Sequence, residues 1–141
     1  MYGDTEAIRG LARTMRRQGA ALRSEAAGLL VRAEAVPWQG LAADAMRASV
    51  RAQVASLRRT AGLSEDAAAA LDRHADEVDR LKALIAEVER RVTALVTAAR
   101  DRLSGLLAGV LPDPVDELLA RFVPPPPGHR DWLLVELPGL P

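Results

Sequence analysis

Cysteine is absent from the 141-residue chain, so disulfides, thiolate metal sites and cysteine nucleophiles are excluded. Asparagine is absent as well, Lys82 is the sole lysine, and aromatic residues make up only 3%. With so few large rings, much of the 49% hydrophobic share is alanine, which has the best helix propensity but gives little area to bury. Long helices packed closely around a thin core are the expected result, and a thin core calls for a partner. Net charge is lacking too: 19 basic and 19 acidic residues cancel. Nothing therefore steers the whole chain toward nucleic acid or an anionic bilayer. The opening Met1-Tyr2-Gly3-Asp4-Thr5-Glu6 has no basic segment followed by an apolar core, so no ordinary signal peptide is expected. The longest strongly apolar stretch, Leu103 to Leu111, falls short of the ~20 residues needed to span a bilayer, and stable membrane insertion is not expected.

What is present is helical periodicity. Ile8, Leu11, Met15, Leu22, Ala26, Leu29, Ala33 and Val36 recur at steps of three and four, as one face of a helix from Thr5 to Val36 requires. Asp4 or Thr5 can cap its start, and Pro37 ends it. A second run begins at Leu41 and keeps its phase to Val110, where Pro112 and Pro114 stop it. Gly62-Leu63-Ser64-Glu65-Asp66 is a weak interruption inside that run. The unbroken phase favours one long helix, with a break near Gly62 and a three-helix bundle as the alternative. Asp113 to Glu117 reads as a fresh helix start reaching Phe122. Pro124 to Pro127 is a stiff polyproline stretch, and Gly128 to Leu137 reads as a short strand or an extended arm.

The fold expected is all-α: an antiparallel helical hairpin with an unusually long, coiled-coil-like second helix and a proline-rich tail. Its parts are a hairpin over 1–111, a short helix or turn over 112–123, and an extended tail over 124–141.

No enzymatic constellation accompanies these helices. Gly-x-Ser-x-Gly, the phosphate-binding loop and His-Glu-x-x-His are all missing, and catalytic and cofactor-binding residues are expected to be none. His74, Asp76, Glu77 and Asp79 form the densest polar cluster. No matching carboxylate–histidine pair lies on the first helix, as a helical metal site needs, so no metal is expected. Arg16-Arg17, Arg58-Arg59 and Arg90-Arg91 are interspersed with acids and read as ion-pairing helix surface; no nucleic-acid partner is expected. Gly105 and Gly109 have the spacing of a close helix contact or of a fraying helix end.

The most informative short feature is Trp38-Gln39-Gly40, between the two long runs. Gly40 permits a sharp reversal, and Trp38 offers a large apolar surface to plug the open end of a hairpin. In this setting the tripeptide resembles the WXG-motif family, small helical hairpins exported by type VII secretion systems. The resemblance covers about Thr5 to Ile85 and rests on Trp38 and Gly40. It implies a type VII substrate or the pairing partner of one, working as a homodimer or as a heterodimer with a related hairpin, with the secretion machinery as a further partner. It also fits the Ala-, Arg- and Pro-heavy usage of a GC-rich, actinobacterial genome. Two features depart from the family. The second helix is longer than its members', and the Tyr-x-x-x-Asp/Glu signal expected after that helix is missing. Tyr2 to Glu6 has the spacing at the wrong end. Export by the type VII route is the expected localisation, or the cytoplasm if that missing signal is decisive. The competing class is an intracellular coiled-coil adaptor whose Trp38-Gln39-Gly40 is coincidental.

Geometry points to a partner independently. At 1.5 Å per residue the two helices are about 48 Å and about 105 Å long, so the first covers less than half of the second. Val78, Leu81, Ile85, Val88, Val92, Leu95, Leu103 and Leu106 fall on the uncovered part and are the expected interface. Leaving such a stripe wet forfeits on the order of 10 kcal/mol.

Overall fold

The computed structural model describes residues 3–141. Tyr2, and with it the Tyr2-to-Glu6 spacing, lies outside the described residues. Helix α1 spans Thr5–Ala35, α2 spans Leu41–Ser104 and α3 spans Pro114–Ala120; a 3-10 turn follows at Arg130–Leu134. No strand occurs among the described residues. The chain divides into two compact units, Thr5–Asp76 and Glu77–Pro141, the latter joined by Gly3 and Asp4.

The first unit is the hairpin. Arg9 pairs with Asp76 at 2.8 Å, Arg16 with Asp72, Arg23 with Glu65 at 2.7 Å, and Glu34 with Arg51 at 2.9 Å. Partner numbers fall along α2 as they rise along α1, which is an antiparallel pairing. Between the ion pairs runs a seam of very small residues. Ala12, Gly19, Ala26 and Ala33 are the buried positions of α1, one every seven residues. They face Ala43, Val54, Ala61, Ala68 and Ala75 of α2, also buried. A seven-residue period keeps the seam in contact as the helices supercoil. The small side chains let the backbones come close: a Cβ on Gly19 would sit 3.2 Å from the Ala61 carbonyl oxygen. Larger apolar residues border the seam, and Leu11 is 52% exposed.

Helix α2 runs through Gly62 without a break, so the three-helix alternative is not realised. A mid-helix glycine costs about 1 kcal/mol, and the seam contacts of Ala61 and Glu65 on either side hold the helix against it. The helix ends at Ser104, earlier than its apolar period predicts. Gly105 and Gly109 fall in the connection, where Gly109 takes a left-handed φ of 88°; they end the helix and do not mediate a helix contact.

In the second unit, Asp113 caps α3 by accepting from the Val115 N–H at 2.9 Å, with Pro114 at the first helical position. Arg102 grips the buried Asp116 carboxylate with Nε and Nη2 at 2.7–3.1 Å, and Arg100 donates to the Ala120 carbonyl. The tail then turns back onto α2. Trp132 is 3% exposed and packs with Ile85, Val92 and Val96, bordered by Val88, Phe122, Val135, Leu137 and Leu140. Its indole N–H donates to the Pro126 carbonyl at 2.9 Å. Of the two readings of Gly128 to Leu137, the short strand is not realised: among the described residues there is no strand for it to pair with. His129 instead caps a 3-10 turn by accepting from the Asp131 N–H at 3.2 Å.

Two carboxyls are held below their ordinary values by arginine partners. The hydrogen bond from Arg23 holds Glu65 below its ordinary value; desolvation opposes it and the Arg23 charge adds to it. The hydrogen bond from Arg102 does the same for Asp116, again against desolvation. A carboxyl lowered on folding contributes stability above its unfolded value and loses it as pH falls through the folded one. Melting temperature should therefore decline below about pH 4.5, and Arg23→Gln should flatten the part of that decline due to Glu65. Superimposable acid limbs in the two proteins would show that this pair carries no linkage.

Candidate interaction site

The connection between α1 and α2 presents a large aromatic side chain on a fixed turn. Gly40 adopts φ 102°, and no atom lies within 4 Å of where its Cβ would be. Backbone angle, not crowding, is what requires glycine here. The Gly40 carbonyl accepts the first bond of α2, from the Asp44 N–H at 3.0 Å. Arg47 reaches back and donates to the carbonyls of Val36 at 2.9 Å and Trp38 at 2.7 Å. Its side chain is 18% exposed and lies 3.8 Å from Asp44. One arginine thus satisfies two loop carbonyls and fixes the loop's path.

Trp38 does not plug the hairpin. It is 62% exposed, and its neighbour Leu41 is 90% exposed. The seam explains why: helices brought close by alanine and glycine leave no gap at the turn for an indole. What remains is an aromatic surface held outward on a braced loop. Sequence reasoning missed Arg47, which lies about two helical turns beyond Gly40 and looks like any other surface arginine; no pattern in the sequence marks it.

The length mismatch of the two helices leaves the expected interface stripe uncovered by α1, and the chain's own tail covers much of it. Val78, Ile85 and Val92 are buried, and Val88 borders the Trp132 cluster. Gly3 closes over Val78, and Gly139 lies against Leu95. Leu81 lines an open groove with Leu133 and Leu134, Leu103 is half-buried, and Leu106 is exposed. The cover comes from non-helical chain, which a comparison of helix lengths does not include.

Of the polar cluster near residue 76, Asp76 is engaged by Arg9 and His74 is exposed. Among the described residues no group of three or more His, Asp or Glu side chains is arranged to hold a metal ion. Arg16, Arg90 and Arg91 from the paired arginines do form surface ion pairs, the last two with Glu87.

A family profile described as "Putative T7SS secretion signal domain" matches residues 1–102, which takes in α1 and nearly all of α2. The chain belongs to that family. No curated protein and no solved structure matches it. Membership in the T7SS secretion signal domain family associates the chain with type VII secretion and with export by that route. The matched region is the hairpin, its turn and the rest of α2. No helix among the described residues is long and apolar enough to cross a membrane.

Proposed function

We propose that this member of the T7SS secretion signal domain family is a WXG-like helical hairpin. It acts as a substrate of type VII secretion or as the pairing partner of one, by binding and without catalysis. The observation that carries the reading is Trp38, 62% exposed on a glycine turn that Arg47 braces. Buried aromatics anchor protein interfaces when they are presented at low entropy cost. A tryptophan left outside its own core, on a loop held by two hydrogen bonds, meets that description. The ion pairs Arg9–Asp76, Arg16–Asp72, Arg23–Glu65 and Glu34–Arg51 are taken up in holding the hairpin register, whereas the exposed Trp38 ring is not.

The test is Trp38→Ala. Exposed side chains contribute little to folding, so the variant should melt within about 0.5 kcal/mol of the parent. Export, and co-purification with a related hairpin partner, should fall sharply. A large loss of stability would return Trp38 to a structural role. Unchanged stability with unchanged export and pairing would leave the motif without one.

A further inference from the structure

We infer that the C-terminal tail is a removable strap, and that the face of α2 beneath it is the pairing surface for a second copy of this chain. The inference takes up the pairing role proposed above and assigns it a site, a geometry and a competitor.

The face has the stereochemistry of a two-stranded coil. From Val78 onward, Val78, Ile85, Val92 and Ala99 recur every seven residues, and Leu81, Val88 and Leu95 fall three places after the first three. Branched residues at the first position with leucine mostly at the fourth favour two parallel strands. In that arrangement the residue before the first core position of one helix faces the residue five places on in the other. Here these are Glu77 and Lys82, an attractive pair made twice across the two-fold axis. Among the described residues neither has an ion-pair partner within the chain.

The strap fits this face incompletely. Trp132 covers Ile85, Val92 and Val96, but an open groove of about 350 Å³ remains between Leu81, Ile85 and the tail's Leu133 and Leu134. A second gap of about 120 Å³ lies among Val92, Val96, Phe122 and Trp132. A helix would fill such a seam side chain by side chain. The tail cannot become that helix, because Pro124 to Pro127 and Pro138 forbid it. Trp132 sits on two of the first-position residues, so strap and second copy exclude each other.

Sedimentation velocity with circular dichroism tests the exchange on the 141-residue chain, its Trp132→Ala variant, and that variant carrying Lys82→Glu or the swap Glu77→Lys/Lys82→Glu. Apparent affinity scales with the fraction of chains in the competent state, so Trp132→Ala should associate at concentrations at least about tenfold lower than the parent. Adding Lys82→Glu should weaken that association roughly fivefold, and the swap should restore it. A Trp132→Ala chain that stays monomeric with its helicity intact overturns the inference. Association indifferent to Lys82→Glu overturns the parallel second copy, leaving some other occupant. If Trp132→Ala loses helicity, amide exchange of the parent across its own dimerisation range decides. Protection at Trp132 to Val135 should fall as dimer forms, and a dimer with a protected tail overturns the strap. None of these readouts involves export, so their failure leaves the secretion reading standing, and a failure of export leaves the strap standing.

Discussion

Replacing Trp132 with alanine is expected to cost the tail's attachment to α2 about 3–5 kcal/mol, the usual price of deleting a buried tryptophan side chain. The ring is 3% exposed, belongs to one buried cluster with Ile85, Val92 and Val96 of α2, lies with Phe122 at a ring-centre distance of 6.5 Å, and donates its N–H to the Pro126 carbonyl. Few other contacts hold this segment: Gly128 donates to Glu89 at 3.2 Å, and the aliphatic residues from Val135 to Leu140 are only half-buried. Amide exchange should therefore accelerate over residues 130–140 by two or more orders of magnitude while α2 stays helical. The hairpin seam and its ion pairs contain none of these residues, and exchange in α1 should be unchanged. A tail that keeps its protection in the variant would mean that the Trp132 cluster is not what holds it.

The second large effect belongs to the small-residue seam. Leucine at Ala61, or at Gly19 across from it, adds a branched side chain where a single Cβ on Gly19 already approaches the opposite backbone to 3.2 Å. Ala61 itself is 0% exposed. Overpacking of this kind costs about 1–3 kcal/mol, and more where backbone must move. Here it must, because the close atom is a carbonyl oxygen and not a flexible side-chain tip. Thermal melting of Ala61→Leu should show a drop of several degrees, whereas Leu11→Ala on the exposed border should change little. Equal effects at the two positions would contradict a seam made by the small residues.

The long helices were legible because their signals are periodic and their stops are chemical. Pro37 and Gly40 bracket the turn, and α1 and α2 begin at Thr5 and Leu41 as their patterns predict. The Asp113-Pro114 cap marks α3 in the same way. The packing face was harder to read. Weighting large aliphatics selects Leu11, whereas burial selects Ala12, Gly19, Ala26 and Ala33. The seven-residue recurrence of small residues is the signal that identifies them. The tail was not legible: one tryptophan on a five-residue 3-10 turn has no period, and its burial depends on a surface some forty residues earlier in the chain. Trp38 shows the converse. Its spacing to Gly40 suggested the family resemblance, but whether the ring faces in or out depends on how closely the helices approach.

The most direct test of the secretion reading compares the amounts of wild-type and Trp38→Ala chains recovered in the medium of a host with a working type VII system. Both chains are first matched for melting temperature, and a host lacking the secretion ATPase serves as the control. The account predicts ATPase-dependent export of the wild type and retention of the equally stable variant. Equal export of the two chains would contradict the assignment of the braced, exposed Trp38 as the feature that the pathway or its pairing partner recognises.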